Sequence, residues 1–318
     1  MTALPPTPPR DSGDAWVEGP DGRRFWGRYG AAGLLVHDEA AGILLQHRAE
    51  WSHFGGTWGL PGGARHEGES AVEGAIRESE EEAGVPADAL RLAFTSVLDL
   101  GYWSYVTVVT RTSRPFAPRI GDAESLELRW VPLDEVDALP LHPGFGSAWP
   151  RLRERLGERL RVVVDAANVV GSVPDGWWRD RAGAAERLVS RLVLLGEAGV
   201  ETSEFSARAG AEAEAEAGVG AGVSAGASAG RSWPQFGVVL EGRATDAVVT
   251  DSAHVSVLRA AGSGDDAIVD EVAKAAAGPV RERIVVVTAD RGLIERVRAH
   301  GAEVRGPGWL RGLIDALD

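Results

Sequence analysis

Between Gly63 and Val85 the chain spaces a glycine, four glutamates, an arginine and a second glycine so that they can act together: Gly63, Glu69, Arg77, Glu78, Glu81, Glu82 and Gly84. Ser70 and Glu73 have the spacing of a capping box at a helix start, and Gly84 followed by Pro86 has that of a helix end. On the helix this predicts over residues 70–83, Glu78, Glu81 and Glu82 stand at i, i+3 and i+4, so three carboxylates share one face. Like charges so placed repel, and a plain solvated acidic face is one way to accommodate them. The other is a hard divalent cation, which takes oxygen ligands and is held by a few carboxylates together with substrate phosphates. Gly62 and Gly63 allow backbone to approach the same place.

The segment resembles the Nudix box of the Nudix hydrolases and departs from it at one position, Ser79, where the family prefers an aliphatic residue. Residues 56–63 (GTWGLPGG) are similar to the entry segment of the MutT-like members. The resemblance implies hydrolysis of a nucleoside diphosphate linked to a further group. It implies Mg²⁺ or Mn²⁺ at Gly63, Glu69, Glu78, Glu81 and Glu82, with Arg77 orienting a glutamate by an ion pair. Bound metal would neutralise diphosphate oxygens and acidify an attacking water, and a general base would take its proton. Glu82 is one candidate base; Glu127, outside the box, is another. Trp58, Trp103 and Tyr102 are aromatics that could stack on a base or fill core. Nothing among them selects the nucleotide, although the MutT-like entry segment favours a nucleoside triphosphate.

In the second half, acids fall where strands should end. Asp165 follows 162–164 with Asn168 three residues on; Asp265 and Asp266 follow 255–258 through Gly262-Ser263-Gly264; Asp290 follows 284–288. The C-terminal strand ends of an open parallel sheet share one crevice, which Asp180 could also reach. Aspartates at such turns equally cap helices. The stretches VVDAANVV, GDD and TADRGL resemble those of PIN-like nucleases of the NYN branch. That likeness implies Mg²⁺ or Mn²⁺ at Asp165, Asp265 or Asp266, and Asp290, with RNA as partner.

These sites require two kinds of scaffold. Over residues 24–157 strands (33–36, 42–46, 91–98, 104–110, 126–131) and helices (70–83, 149–156) mix without strict alternation, which predicts an α+β fold with a mixed sheet between helices. Over 158–318, strands at 162–164, 238–240, 255–258 and 284–288 alternate with helices at 182–195, 265–276 and 293–300. That rhythm predicts an α/β doubly wound parallel sheet. Residues 1–23, rich in proline, read as a disordered tail. Residues 206–230, almost wholly Ala, Gly, Glu and Ser, read as a flexible insertion in the second domain.

The 318 residues carry a net charge of -14, with 15 basic against 24 acidic residues through residue 158 and 18 against 23 beyond it. Neither half has the basic footprint of a general nucleic-acid binder. There is no cysteine, so thiolate chemistry is excluded. No run approaches the ~18 apolar residues of a membrane span, and the first residues lack an apolar signal core; the expectation is a cytoplasmic chain with no membrane partner. Three functions fit: a Nudix hydrolase fused to a metal-dependent ribonuclease, an RNA-processing protein whose Nudix action on 5′ ends feeds the nuclease, or a nucleotide sensor without catalysis. The complete glutamate set favours catalysis.

Overall fold

The structure, a computed structural model, describes residues 12–174, 176–205, 230–250 and 252–318. It divides into two compact units, Met1–Leu152 with Thr202–Gly230, and Arg153–Glu201 with Arg231–Asp318. The predicted insertion at 206–230 lies, but for Gly230, outside the described residues.

The first unit opens with a hairpin, β1 (Trp16–Glu18) against β2 (Arg24–Trp26). Residues 16–18 fall in the stretch read as a tail, so that reading is corrected: alternating Trp-Val-Glu and Arg-Phe-Trp pair through their aromatics. The strands β3 (Ala31–Asp38), β4 (Gly42–Arg48), β5 (Trp58–Gly59) and β6 (Gly62–Ala64) follow. Helix α1 (Ala71–Ala83), β7 (Leu90–Asp99), β8 (Ser104–Thr112), β9 (Ser125–Val131) and α2 (Pro143–Leu156) complete the unit. The sheet is mixed: its order is β7-β8-β3-β4-β5, with β3 parallel to β8 and the other pairs antiparallel. Strand β6 pairs with β3, and β9 with β4. Six of the eight β3 residues are apolar or glycine and buried, as expected of a central strand. Leu34, Val36, Leu44 and Val108 meet Ala75 and Ala83 of α1 in one apolar cluster. Helix α2 begins six residues before the predicted 149; Pro143 serves its first turn, where a missing N–H costs nothing.

The second unit contains β10 (Glu158–Asp165), α3 (Ala166–Gly171), α4 (Arg181–Ala198), β11 (Val200–Glu201) and β12 (Arg231–Ser232). It continues with β13 (Gln235–Leu240), β14 (Val255–Arg259), α5 (Gly264–Ala276) and β15 (Arg281–Val287). It ends with α6 (Arg291–Arg298), β16 (Glu303–Arg305) and α7 (Pro307–Asp315). Five strands form an all-parallel sheet in the order β14-β13-β10-β15-β16. Val162–Val164 of β10 are wholly buried, with Ile268 and Val272 of α5 and Leu293 and Val297 of α6 in the core on the sheet. Short α3, α7 and β16 were not foreseen. Among the described residues no helix is long and apolar enough to cross a membrane.

Candidate active site

Helix α1 is fixed at both ends by local chemistry. The Ser70 hydroxyl accepts the Glu73 N–H (3.2 Å) while the Glu73 carboxylate accepts the Ser70 N–H (2.9 Å). Gly84 closes the helix in the left-handed region, φ 61°, donating to the Glu80 carbonyl. Ser79, at the position where an aliphatic residue was expected, is fully buried and donates to the Ala75 carbonyl at 2.7 Å. Its polar atom is thus satisfied within the helix.

Arg77 is the hub of the acidic face. Its Nε and Nη2 donate to the two oxygens of Glu69 (2.7 and 3.0 Å), Nη1 donates to Glu78 (2.9 Å), and Nη2 also reaches the Ala64 carbonyl at 3.1 Å. Glu81, largely exposed, lies 3.6 Å from the same guanidinium. The bidentate arginine holds the Glu69 carboxyl below its ordinary range, and the carboxylates hold Arg77 firmly charged. Burial pushes Glu78 upward although Arg77 opposes it. Gly63 packs against the Glu78 carboxylate so closely that a Cβ would sit 2.7 Å from it.

Glu82 stands apart. It is buried, and among the described residues no cation pairs with it. Its Oε2 accepts the Gly62 N–H at 2.9 Å and lies 3.4 Å from the Gln46 amide nitrogen. Burial, with Glu78, Asp122 and Glu124 adding repulsion, pushes its carboxyl up to about 8. Gln46 is itself fully buried, donates to the Ser125 hydroxyl at 2.7 Å, and leaves its own Oε1 without a partner. Glu124 is pushed up by burial and by Asp122, and Arg48 lies 3.9 Å from it.

The box residues Gly63, Glu69, Arg77, Glu78, Glu81 and Glu82 are therefore linked along α1 and the segments that precede it. Glu127 does not join them. It pairs across the strands with His47, and His47 and Gln46, being successive, face opposite sides of the sheet. Glu127 thus stands on the side away from Gln46 and Glu82, exposed, with Arg129 at 3.8 Å. Trp58 is buried, with His47 stacked on it at 4.8 Å and Arg129 over its ring at 4.4 Å. Trp103 lies near-parallel to Phe25 at 4.4 Å. Gln46 and Glu124 were missed, a glutamine inside the apolar run 42–46 being the one available signal, while the approach of the Gly62 backbone was expected.

Among the described residues no three acidic or histidine side chains converge as a finished metal cage. The donor set nevertheless fits a hard cation completed by substrate oxygens. Glu78 and Glu82 are desolvated carboxylates side by side, and Glu82 lacks the cation that would offset its burial.

In the second unit the strand order reverses between β10 and β15, the place where open parallel sheets bind ligands. Asp165 ends β10 there, buried, one oxygen accepting the Asn168 N–H (3.0 Å) and the other the Thr288 hydroxyl (2.9 Å). Burial, then Asp265 and Glu241, push its carboxyl up. Burial, then Asp290 and Glu241, do the same to Asp265. Asn168 accepts the Ala289 N–H at 2.9 Å, and Asp290 caps α6 through the Leu293 N–H at 2.8 Å. Asp266 is drawn to Arg296 (2.6 Å), and Asp180 caps α4 through Gly183. Glu241, at the end of β13, was not foreseen.

Residues 27–152 match the family model of the NUDIX domain. A Mycobacterium tuberculosis protein named as a candidate 8-oxo-dGTP diphosphatase is 48% identical over 166 residues, which cover 47% of this chain and 76% of the relative. A nucleoside triphosphate pyrophosphatase/Nudix hydrolase fusion protein of Bifidobacterium longum is 42% identical over 154 residues, 46% of this chain and 32% of the relative. A solved Nudix hydrolase from M. smegmatis is 47% identical with a TM-score of 0.43, covering 45% of this chain and 95% of the other.

Proposed function

The chain belongs to the Nudix family and is a hydrolase of acid anhydrides, and we propose that its substrate is a nucleoside triphosphate or a related nucleoside diphosphate derivative, cleaved with Mg²⁺ or Mn²⁺. The candidate 8-oxo-dGTP diphosphatase among its relatives supports a triphosphate. The observation that carries the reading is Glu82: a buried carboxylate without a cationic partner, beside Glu78, at the end of the box helix.

Glu78 and Glu82, with Glu81 and the Gly63 carbonyl at the rim, would hold the metal, which when bound neutralises diphosphate oxygens and acidifies water. Arg77 is engaged with Glu69 and Glu78, so its work is to orient carboxylates rather than to touch substrate. The Gly62 amide engages Oε2 of Glu82 and leaves Oε1 to meet the cation or to take a proton from the attacking water. The general base is therefore sought in Glu82 and not in Glu127. A panel of nucleotides assayed with Mg²⁺ tests this. Glu82→Gln should lose at least a thousand-fold in kcat with secondary structure unchanged, since it removes a charge and no volume. Turnover within ten-fold of the parent would overturn the assignment.

A second reading concerns the other unit. Asp165, Glu241, Asp265 and Asp290 lie near enough to repel one another close to the reversal of strand order, and that repulsion supports a PIN-like site for a divalent cation and RNA. Capping accounts for Asp165 and Asp290, and Glu241 also accepts the Gly264 N–H at the start of α5 (2.8 Å), which leaves Asp265 in the first turn of α5.

A further inference from the structure

The β1–β2 hairpin precedes the segment that matches the family and has no part in the chemistry above. Its cross-strand pairing sets Trp16 opposite Trp26, and Val17 opposite Phe25. Successive residues face opposite sides, so Phe25 packs on Trp103 while Trp16 and Trp26 form a separate surface. There the two indoles meet edge to face at 5.3 Å. Trp16 meets His53 at 5.5 Å, His53 meets Phe54 at 4.2 Å, and Phe54 meets His142 at 4.8 Å. Five rings from three separate segments thus form one file. Trp16 is 43% exposed and Phe54 45%, an arrangement that leaves adjacent large aromatics open to water.

Phe54 adds a second observation. Among the described residues it is the one non-glycine with positive φ, 55°. A bulky residue in that region is strained, and such strain collects at ligand clamps. The Thr57 hydroxyl donates to its carbonyl at 2.6 Å and holds the turn.

The file is tied to Glu67 and Glu124 through neighbouring residues. Ser12 accepts the Glu67 N–H in the loop leading to Glu69 (3.1 Å), and Asp14 is near enough to Glu124 to raise its carboxyl. Arg48 donates to the His53 carbonyl at 3.1 Å and lies 3.9 Å from Glu124. Burial and Arg48 lower both His53 and His142, which disfavours a charge on either ring. Arg24 lies over Trp16 at 4.9 Å. Aromatic rings with an arginine over one face of Trp16 and another beside His53 suit a planar base joined to an anion.

We propose that Trp16, His53 and Phe54 form a stacking wall for the base of the nucleotide whose diphosphate is held at Glu78 and Glu82. The assignment rests on the hydrolase reading above. A wall that binds by stacking tolerates any base, because every base has a π face.

The test uses the full chain with Mg²⁺. Trp16→Ala and Phe54→Ala should each raise KM for a nucleoside triphosphate about ten-fold with kcat within two-fold, and Trp16→Phe should restore it. Inhibition by inorganic tripolyphosphate, which has no base, should be unchanged. Unaltered KM, or an equal loss of tripolyphosphate inhibition, overturns the wall. Should Trp16→Ala unfold the hairpin, Phe54→Leu keeps the apolar volume and carries the same expectation. If the parent hydrolyses no nucleotide, the hydrolase reading falls by itself. Calorimetry with a non-hydrolysable purine triphosphate then decides the wall: weaker binding to Trp16→Ala supports it, equal binding overturns it. A parent dimer that Trp16→Ala splits, with KM unmoved, would assign the surface to a second copy and also overturn it.

Discussion

Glu82 is a carboxyl that the fold holds protonated near neutral pH. Its ordinary value is 4.5 and its folded value about 8, so between these the native state binds a proton that the unfolded chain has released. By linkage, stability must fall as pH rises through that window. A cation that holds Glu82 ionised removes the penalty. We expect the metal-free chain to lose up to a few kcal/mol between pH 5 and 8.5, and saturating Mg²⁺ to restore it. Glu82→Gln should flatten that slope while abolishing turnover. Urea midpoints across this pH range, with and without Mg²⁺, check it; an unchanged slope in Glu82→Gln would sink the argument. This residue's place in the box was legible from spacing alone. Its burial was not, because spacing places a side chain on a helix face and says nothing of what covers that face.

Strands β4 and β9 and helix α1 are joined by one buried polar link, in which Gln46 donates to Ser125 and faces Glu82. Apolar packing of α1 on β3 sets the helix roughly, and directional hydrogen bonds set where its last turn points. Gln46→Leu should therefore lower kcat ten- to a hundred-fold and raise the Mg²⁺ half-saturation. In the Glu82→Gln background it should add little, because residues acting through one group are not additive. An additive double-mutant cycle would show that Gln46 supports only the strand. The apolar run 42–46 predicted β4 but for its last two residues, and the capping box and Gly84 predicted both ends of α1. The hairpin β1–β2 was missed because three-residue strands offer too little periodicity, and α2 began early because Pro143, Gly144 and Gly146 read as breakers.

The two units follow two rules of construction. Strand–helix alternation after residue 158 accompanies an all-parallel sheet, although β13 reaches β14 through a short 3-10 turn over Gly242–Asp246 and not through an α-helix. The aspartates at its strand ends were legible because the strands were; Glu241 was not, since the motif that drew attention to its neighbours lies elsewhere in the chain. If the crevice is a working site, Mn²⁺ with single-stranded RNA should give cleavage by the Glu82→Gln chain that Asp165→Asn abolishes. Binding of the polyanion should be weak because the unit is acidic. Cleavage that survives Asp165→Asn would assign the activity elsewhere and leave Asp165 a helix cap.

The hydrogen bond from Gly62 to Glu82 comes from the backbone. No side-chain truncation can delete it, so an alanine scan would pass over the contact that aims Glu82. The position itself is closed to change, because φ is 155° and a Cβ there would strike the carbonyl of Ala32. A genetic screen would score Gly62 as structural, and the role of its amide would surface only on replacing the peptide N–H by an ester oxygen.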